Sequence, residues 1–321
     1  MRAIRCPYLY CTNVKKNGTK NGRQRYLCHD CQASWTNITR PLRFRNKLWR
    51  EYAFEGRKVS WLAEHYHKSL RFIRRELDVY EAYDAIPRAR KVTVIMDVTY
   101  FTGWGVLVAI DPYANVGKAE NLVLYWTTVE GTEKTVDYEV ATDTIESMGY
   151  NVQTAVIDGR RGVRQMLESK GIPVQQCQFH QLQTITQCLT RRPKLIQNQE
   201  LRVIALTLTR TTKTEFEGQL DNWYAAHSKW LKERYREPLT RRIRYQHART
   251  RRAYFSLHRN LPYLFTYQDE ELCKQGVRIP NTTSPLDGRF AVWKDKTNRH
   301  KGCSKSRTTK ILRSLFSRMT D

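Results

Sequence analysis

The chain has 321 residues, 56 Lys and Arg against 31 Asp and Glu, and a formal charge of +25. That balance is too basic for a typical metabolic enzyme and points to a polyanionic partner, while 40% hydrophobic and 11% aromatic content fills real cores and excludes wholesale disorder. The longest apolar runs, such as Val106 to Ile110, fall far short of the roughly 18–20 residues that cross a bilayer, and no cleavable apolar leader follows Met1, so a soluble cytoplasmic protein of two or three domains with no membrane partner is expected.

Residues 1–40 carry Cys6 and Cys11, then Cys28 and Cys31, with Gly18, Gly22 and several basic residues between the pairs. Eight cysteines in a chain this long do not make a disulfide framework, and two close pairs in a reducing compartment read as metal ligation. Two knuckles joined by a turn-rich hairpin gather four thiolates around one Zn²⁺, which replaces the core that about 40 residues cannot build. A zinc ribbon with Cys6, Cys11, Cys28 and Cys31 as ligands is expected. The second knuckle has the usual two residues inside it and the first is looser, with four. Lys15, Lys16, Lys20, Arg23 and Arg25 fall on the hairpin, where they meet phosphates or form a solvated face.

Residues 41–88 open with a basic connector holding Arg43, Arg45 and Lys47 and then turn helical, with Trp49 and Tyr52, Leu62 and Ala63, and Phe72, Ile73 and Leu77 at helical spacing. Three short helices fit, the second capped by Ser60 and the third by Ser69, in the spacing of a helix-turn-helix. A recognition helix contacts bases from its N-terminal end, which assigns DNA contacts to Ser69, Arg71, Arg74 and Arg75. The plain alternative is an ordinary three-helix packing unit.

Residues 89–193 and 276–300 read as one α/β domain. Strands are expected at Val92 to Asp97, Val106 to Asp111 and Leu122 to Thr128, a helix at Thr132 to Met148, a strand at Val152 to Asp158, a helix at Arg160 to Lys170, a strand at Val174 to Cys177 and a helix from about Phe179. The order βββαβαβα is that of an RNase H-like domain. In such an order the first strand and the strand after the first long helix are neighbours, so Asp97 and Asp158, at strand ends, face one another. Two carboxylates without a basic partner repel unless a cation sits between them, and hard oxygen ligands select Mg²⁺ or Mn²⁺. A third carboxylate is offered by Asp287 in Asn281 to Gly288, where Ser284 caps a helix, Pro285 takes its first position and Asp287 follows three after the cap. At that place Asp287 also suits a simple capping box.

Several short motifs in order resemble the bacterial insertion-sequence DDE transposases of the Mutator superfamily. They are Met96-Asp97-Val98-Thr99-Tyr100, Ile157-Asp158-Gly159, Cys177-Gln178-Phe179-His180 and Thr282-Thr283-Ser284-Pro285-Leu286-Asp287-Gly288, followed by Lys294, Arg299, His300 and Gly302. The resemblance spans nearly the whole chain. It implies an N-terminal zinc and helix-turn-helix region, an RNase H-like domain split by a helical insertion, catalytic roles for Asp97, Asp158 and Asp287 on two Mg²⁺ or Mn²⁺ ions, and a His180 that donates to phosphate or steadies the site. The family has Glu where this chain has Asp287, which is one methylene shorter. Glu270 and Glu271 are the fallback carboxylates.

Residues 194–275 show helical periodicity in Leu201, Ala205, Leu208, Phe216, Leu220, Trp223, Leu231 and Tyr235 without strand alternation, so an all-helical insertion is expected, rich in arginine and aromatics from Lys232 to Arg259. Lys294 and Arg299 add a basic strip for DNA, and residues 301–321 read as a basic, partly disordered tail. The chain is expected to be a DNA transposase that binds element ends, cuts and joins double-stranded DNA, and works on the nucleoid as a homodimer or larger assembly. The alternatives are a DNA-binding regulator without catalysis and a structure-selective nuclease.

Overall fold

The computed structural model describes residues 4–7, 11–36, 40–82, 87, 89–115 and 122–317, apart from the side chains of residues 40–42. The architecture is mixed α/β, in two compact units: Met1–Arg90, Ile110–Leu124 and Asp287–Asp321 form the first, and Lys91–Ala109 with Tyr125–Leu286 the second.

The first unit starts with a three-stranded antiparallel sheet, β1 (Val14–Lys20), β2 (Arg23–Cys28) and β3 (Ser34–Thr36). Asn21 and Gly22 link β1 to β2, both with positive φ (53° and 70°), the conformation that two-residue hairpin turns require and that Asn-Gly adopts with least strain. Three helices follow, α1 (Arg40–Ala53), α2 (Val59–His65) and α3 (Leu70–Val79). The basic stretch expected as a connector is the first half of α1. Leu48, Trp49 and Tyr52 form its buried stripe, and Arg45 points to α3, where its guanidinium donates to Glu76 at 3.0 and 3.1 Å. Ser60 lies inside α2 rather than capping it; the cap position belongs to Lys58. Ser69 does cap α3, its Oγ accepting from Phe72 N at 3.2 Å. Leu62, Ile73 and Leu77 are buried, and Arg71, Arg74 and Arg75 face solvent.

The second unit follows the expected order of elements: β4 (Lys91–Phe101), β5 (Trp104–Ile110), β6 (Val123–Glu130), α4 (Thr135–Ser147), β7 (Asn151–Ile157), α5 (Arg161–Ser169), β8 (Val174–Gln176) and α6 (Gln178–Leu189). The five strands form one mixed sheet in the order β6-β5-β4-β7-β8. β7 runs parallel to both β4 and β8. The two residues Thr102-Gly103 that join β4 to its neighbour β5 are too few for a crossover, so that pair is antiparallel.

Then come α7 (Ile196–Thr207), α8 (Lys213–Leu231), β9 (Arg234–Arg236), β10 (Ile243–Tyr245), α9 (Ala248–Leu264) and α10 (Glu270–Lys274). Leu201, Ala205, Leu208, Phe216, Leu220, Trp223 and Leu231 share one core with Tyr254, Leu257 and Leu264 of α9 and Ile185 and Leu189 of α6. The insertion is not all helical: β9 and β10 pair antiparallel as a ribbon, and Tyr235 lies on it, exposed, instead of in the core. Its strands are three residues long and solvated on both sides, so they carry none of the apolar alternation that marks a half-buried strand. No helix among the described residues is long and apolar enough to cross a membrane.

The first unit is completed by α11 (Ser284–Asn298), from Asp287 onward, and α12 (Lys305–Phe316). The stretch read as a basic tail is therefore ordered through α12, because Ile311, Leu312, Leu315 and Phe316 recur at helical spacing and are buried. Trp49 Nε1 donates to Ser314 Oγ at 3.0 Å, and Arg307 forms an ion pair with Asp78. Lys296 Nζ donates to the carbonyl of Phe54 at the end of α1, at 3.0 Å. The buried His300 sits 2.8 Å from the carbonyl of Tyr52 through Nε2. A carbonyl only accepts, so Nε2 carries the proton of a neutral ring.

Burial pushes the pKa of His300 below the usual imidazole value, Arg299 and Arg307 push the same way, and the bond to Tyr52 opposes them. A depressed histidine is protonated more readily in the unfolded chain, so stability is lost as pH falls through the ordinary histidine range. Thermal unfolding of the first unit should shift to lower temperature between about pH 7 and about pH 5, and His300→Gln, which keeps a donor without the titration, should flatten that dependence. An equally steep pH profile in the variant would remove His300 as its cause.

Candidate functional site

The tightest cluster of ligand-type side chains is at the start of the chain. Cys6 N donates to Cys11 O at 2.8 Å and Cys28 N to Ala33 O at 2.9 Å, closing two knuckles on either side of the hairpin. The four sulfurs of Cys6, Cys11, Cys28 and Cys31 lie within 4.8 Å of one another, with Cys6 and Cys31 at 3.4 Å. A tetrahedral site with Zn–S near 2.3 Å needs sulfur separations of about 3.8 Å, so the set fits a metal ion such as zinc. Cys6, Cys28 and Cys31 are buried with Trp35 around them. Hydrogen bonding with Cys31 and then Cys6, followed by burial and the charge of Cys28, drives the Cys11 thiol far above its usual pKa. Sulfurs this close ionise together only around a cation. Lys15, Lys16, Lys20, Arg23 and Arg25 are exposed on the adjoining sheet.

The second constellation rests on the sheet. β4 and β7 start in register with Lys91 opposite Asn151 and Val92 opposite Val152, then shift by one residue so that Thr93 faces Thr154 and Ile95 faces Val156. Continued two residues past the last pair, Ile95 with Val156, the shifted register would set Asp97 opposite Asp158, the residue after β7. Without the extra residue, Gln153, Asp97 would face Ile157. Asp97 is inside β4, which runs on to Phe101, and not at its end as expected; the pairing with β7 ends at Ile95, two residues earlier. Asp97 Oδ1 accepts from Val98 N at 2.7 Å, and Asp158 Oδ1 from Arg160 N at 3.2 Å.

Glu133, just before α4, is a third carboxylate beside this pair. It forms an ion pair with the Arg160 guanidinium, whose Nε also lies 3.5 Å from Asp158 Oδ2. Tyr138 OH donates to Glu133 Oε2 at 2.8 Å, and Glu133 N donates to Tyr100 OH at 3.1 Å. Burial pushes the Glu133 carboxyl above the usual carboxylate range, Tyr138 and Arg160 draw it down, and Asp158 adds to the rise. The Tyr138 phenol is raised by burial first, and then by Glu133, Asp158 and Asp97. Asp158 and Glu133 thus share the Arg160 guanidinium, and Glu133 is also held by the Tyr138 phenol. This constellation is more open than the cysteine cluster, which is the one group of three or more ligand residues drawn within 4.8 Å among the described residues.

Asp158 is supported from behind. A Cβ on Gly159 would stand 3.1 Å from Gln176 Nε2, so the Asp-Gly pair lets the chain pass close over β8. Gln176 Nε2 donates to Gln181 Oε1 at 2.9 Å, as does Asn260 Nδ2 at 3.0 Å, and Gln181 Nε2 donates to Ser256 Oγ at 3.0 Å. Arg164, buried, donates to Asn260 Oδ1 at 3.2 Å and lies over the Tyr263 ring. This polar seam joins α5, β8, α6 and α9.

Cys177, buried at the cap of α6, accepts from Thr283 N at 3.3 Å and Thr283 Oγ1 at 3.4 Å. Its thiol is pushed up by burial, but bonds from His180 and Thr283 outweigh that and leave it below its usual pKa. His180 Nδ1 is 3.5 Å from Thr283 Oγ1, and Gln178 and Asn281 exchange two hydrogen bonds. The Cys-x₂-His motif therefore clasps the segment leading into α11.

Of the expected site residues, Asp97 and Asp158 lie in the second unit, each just past the last paired residues of β4 and β7. Asp287 is in the first turn of α11, in the first unit. Glu270 and Glu271 are exposed on α10, engaged with Lys274 and Gln275. Arg299 pairs with Asp295 at 2.7 Å and covers Gly56, where a Cβ would come within 2.6 Å of its Cδ; Lys294 is half-buried. Glu133 went unread because an acid at a helix start looks like a complement to the helix dipole.

About one tightly bound metal ion per chain, zinc in the first instance, is expected from elemental analysis, with Cys28→Ser losing both the metal and the hydrogen-exchange protection of β1 and β2. A metal-free N-terminal sheet that stays protected would remove the cysteine site.

No protein-family model matches the chain, and no curated protein matches it.

Proposed function

We propose that the chain is a DNA transposase of the DDE type, in the insertion-sequence Mutator superfamily that its motifs resemble. The observation that carries this reading is the shifted parallel register of β4 and β7, which supports Asp97 and Asp158 as neighbours at the ends of the paired segments. The element order and the strand order β6-β5-β4-β7-β8 support an RNase H-like domain. The cysteine sheet is read as a zinc ribbon, and α2 with α3, capped by Ser69 and presenting Arg71, Arg74 and Arg75, as a helix-turn-helix for element ends, joined by Lys294 and Arg299.

Asp97 and Asp158 offer the oxygens that Mg²⁺ or Mn²⁺ prefers, and the motif gives Asp287 the third position. When bound, two such ions lower the pKa of water and neutralise charge on the scissile phosphodiester. The chain's own residues prepare the ground. Arg160 holds Asp158 and Glu133 in place, and Tyr138, its phenol raised, stays protonated at neutral pH and keeps donating to Glu133. His180 steadies the start of α6 through Thr283. A freed 3′-OH attacks target DNA without a covalent protein intermediate, and cutting two ends in concert calls for a dimer or larger assembly on the nucleoid. A regulator without chemistry is the second reading, favoured by Asp287 where the family has Glu.

The test is strand cleavage of the element's terminal repeats in Mg²⁺ and in Mn²⁺. Asp97→Asn and Asp158→Asn should each lose more than about 100-fold, since even groups one shell beyond a metal cost 10–100-fold. Asp287→Asn should match them; if it cuts like wild type while Glu133→Gln does not, the third carboxylate is Glu133. Wild type as inert as the variants, with binding intact, would point to the regulator, and cutting that ignores end sequence to a structure-selective nuclease.

A further inference from the structure

The ribbon of β9 and β10 is the least expected element of the second unit. Its register sets Arg236 opposite Ile243, Tyr235 opposite Arg244 and Arg234 opposite Tyr245. Glu237 N donates to Arg242 O at 2.9 Å beyond the last pair, and Arg241 N returns to Glu237 O at 2.9 Å across the tip. From Arg234 to Tyr245 there are five arginines and one glutamate. That glutamate is engaged within the ribbon, with Thr240 Oγ1 and, at 3.1 Å, with Arg244 Nε. Arg236, Arg241 and Arg242 are exposed, and their guanidinium groups make no hydrogen bond or ion pair with any described residue.

The base is fixed while the tip is bare. Tyr245 is held between Arg234, 4.8 Å from its ring centre, and Arg251 of α9, at 4.1 Å, and Arg251 also lies over Phe255. His247 stacks on Trp230 and reaches Glu233 at 3.0 Å. At the other end Leu239 is 96% exposed, next to Pro238, and Ile243 is 62% exposed. Three paired residues and Glu237 beyond them extend roughly 13 Å, more than the roughly 7.5 Å depth of the minor groove.

We infer that this ribbon enters the minor groove of duplex DNA and that Leu239 is a wedge driven between base pairs, bending the duplex. Arg236, Arg241 and Arg242 meet the phosphates and walls of the groove, where negative potential is concentrated. An apolar tip on a cationic two-stranded arm matches the chemistry by which minor-groove binders unstack a base step and wrap the bent helix. An acidic protein would satisfy the arginines and leave Leu239 without a role. The inference shares with the proposed function only a DNA partner; it needs no cleavage and no active-site metal.

The experiment measures end-to-end energy transfer in a labelled, A·T-rich duplex of about 30 base pairs mixed with the full-length protein, without added Mg²⁺ or Mn²⁺. Wild type should bend the duplex, and Leu239→Ala, which removes no packed group, should keep affinity within a few-fold while losing most of the bend. Arg236→Gln, Arg241→Gln and Arg242→Gln together should lower the slope of log affinity against log salt by about 2–3, near 0.9 for each phosphate that is no longer neutralised. The bend is read without divalent cations and without cleavage, so failure of the ribbon and failure of the catalytic reading are seen separately. A Leu239→Ala variant that bends fully, an unchanged salt slope, no binding by wild type, or equal affinity for duplex RNA would each overturn the assignment.

Discussion

One inserted residue, Gln153, sets the register between the two central strands of the second unit. Before it, β4 and β7 pair with an offset that, continued, would set Asp97 against Ile157; after it, they pair with the offset that, continued, would set Asp97 against Asp158. Bulges of this kind re-aim side chains at functional sites, and they are uncommon between parallel strands. The bulge is placed early, at the half-buried start of β7, and the buried residues Thr154–Ile157 follow in the shifted register.

Bringing acids together costs electrostatic free energy, and the surroundings show how it is offset. Arg160 bridges Asp158 and Glu133, and Tyr138 donates from below. The support is directional as well: a glycine permits close passage over Gln176, and Gln176 is held by a chain of amides reaching α9. Because a half-satisfied buried network costs more than an apolar contact, the amides couple the insertion to the strand end more strictly than greasy packing would. The insertion is thus tied to the sheet by groups that tolerate little rearrangement, while its own core of Phe216, Trp223 and Tyr254 is apolar.

Much of this was legible in the residues. The cysteine pairs were readable because ligand spacing is local, and the succession of strands and helices because apolar runs and amphipathic stripes announce themselves within a few residues. That β4 and β7, the strands leading to Asp97 and Asp158, are neighbours followed from that order. The bulge was not readable, since one polar residue in a strand has no compositional mark. The ribbon was hidden because every side chain on it is polar, aromatic or exposed, and periodicity reports burial, not pairing. Arg45 was read as a link when it is a helix residue holding Glu76, an error that tertiary contact alone corrects. In α12 the signal was present in Ile311, Leu312, Leu315 and Phe316, and the surrounding charge obscured it.

The first unit is assembled from segments far apart along the chain, and that has a temporal meaning. Trp49 and Ser314 are 265 positions apart, and at about 5–20 residues per second a ribosome needs roughly 10–50 s to make the second after the first. Throughout that interval the apolar side of α1 lacks the cover that α12 brings, while the second unit, whose sequence is contiguous apart from one excursion, emerges and folds. A message broken before α12 therefore yields a product with its sheet and insertion intact and an unfinished front end, which quality control would meet as exposed tryptophan and leucine.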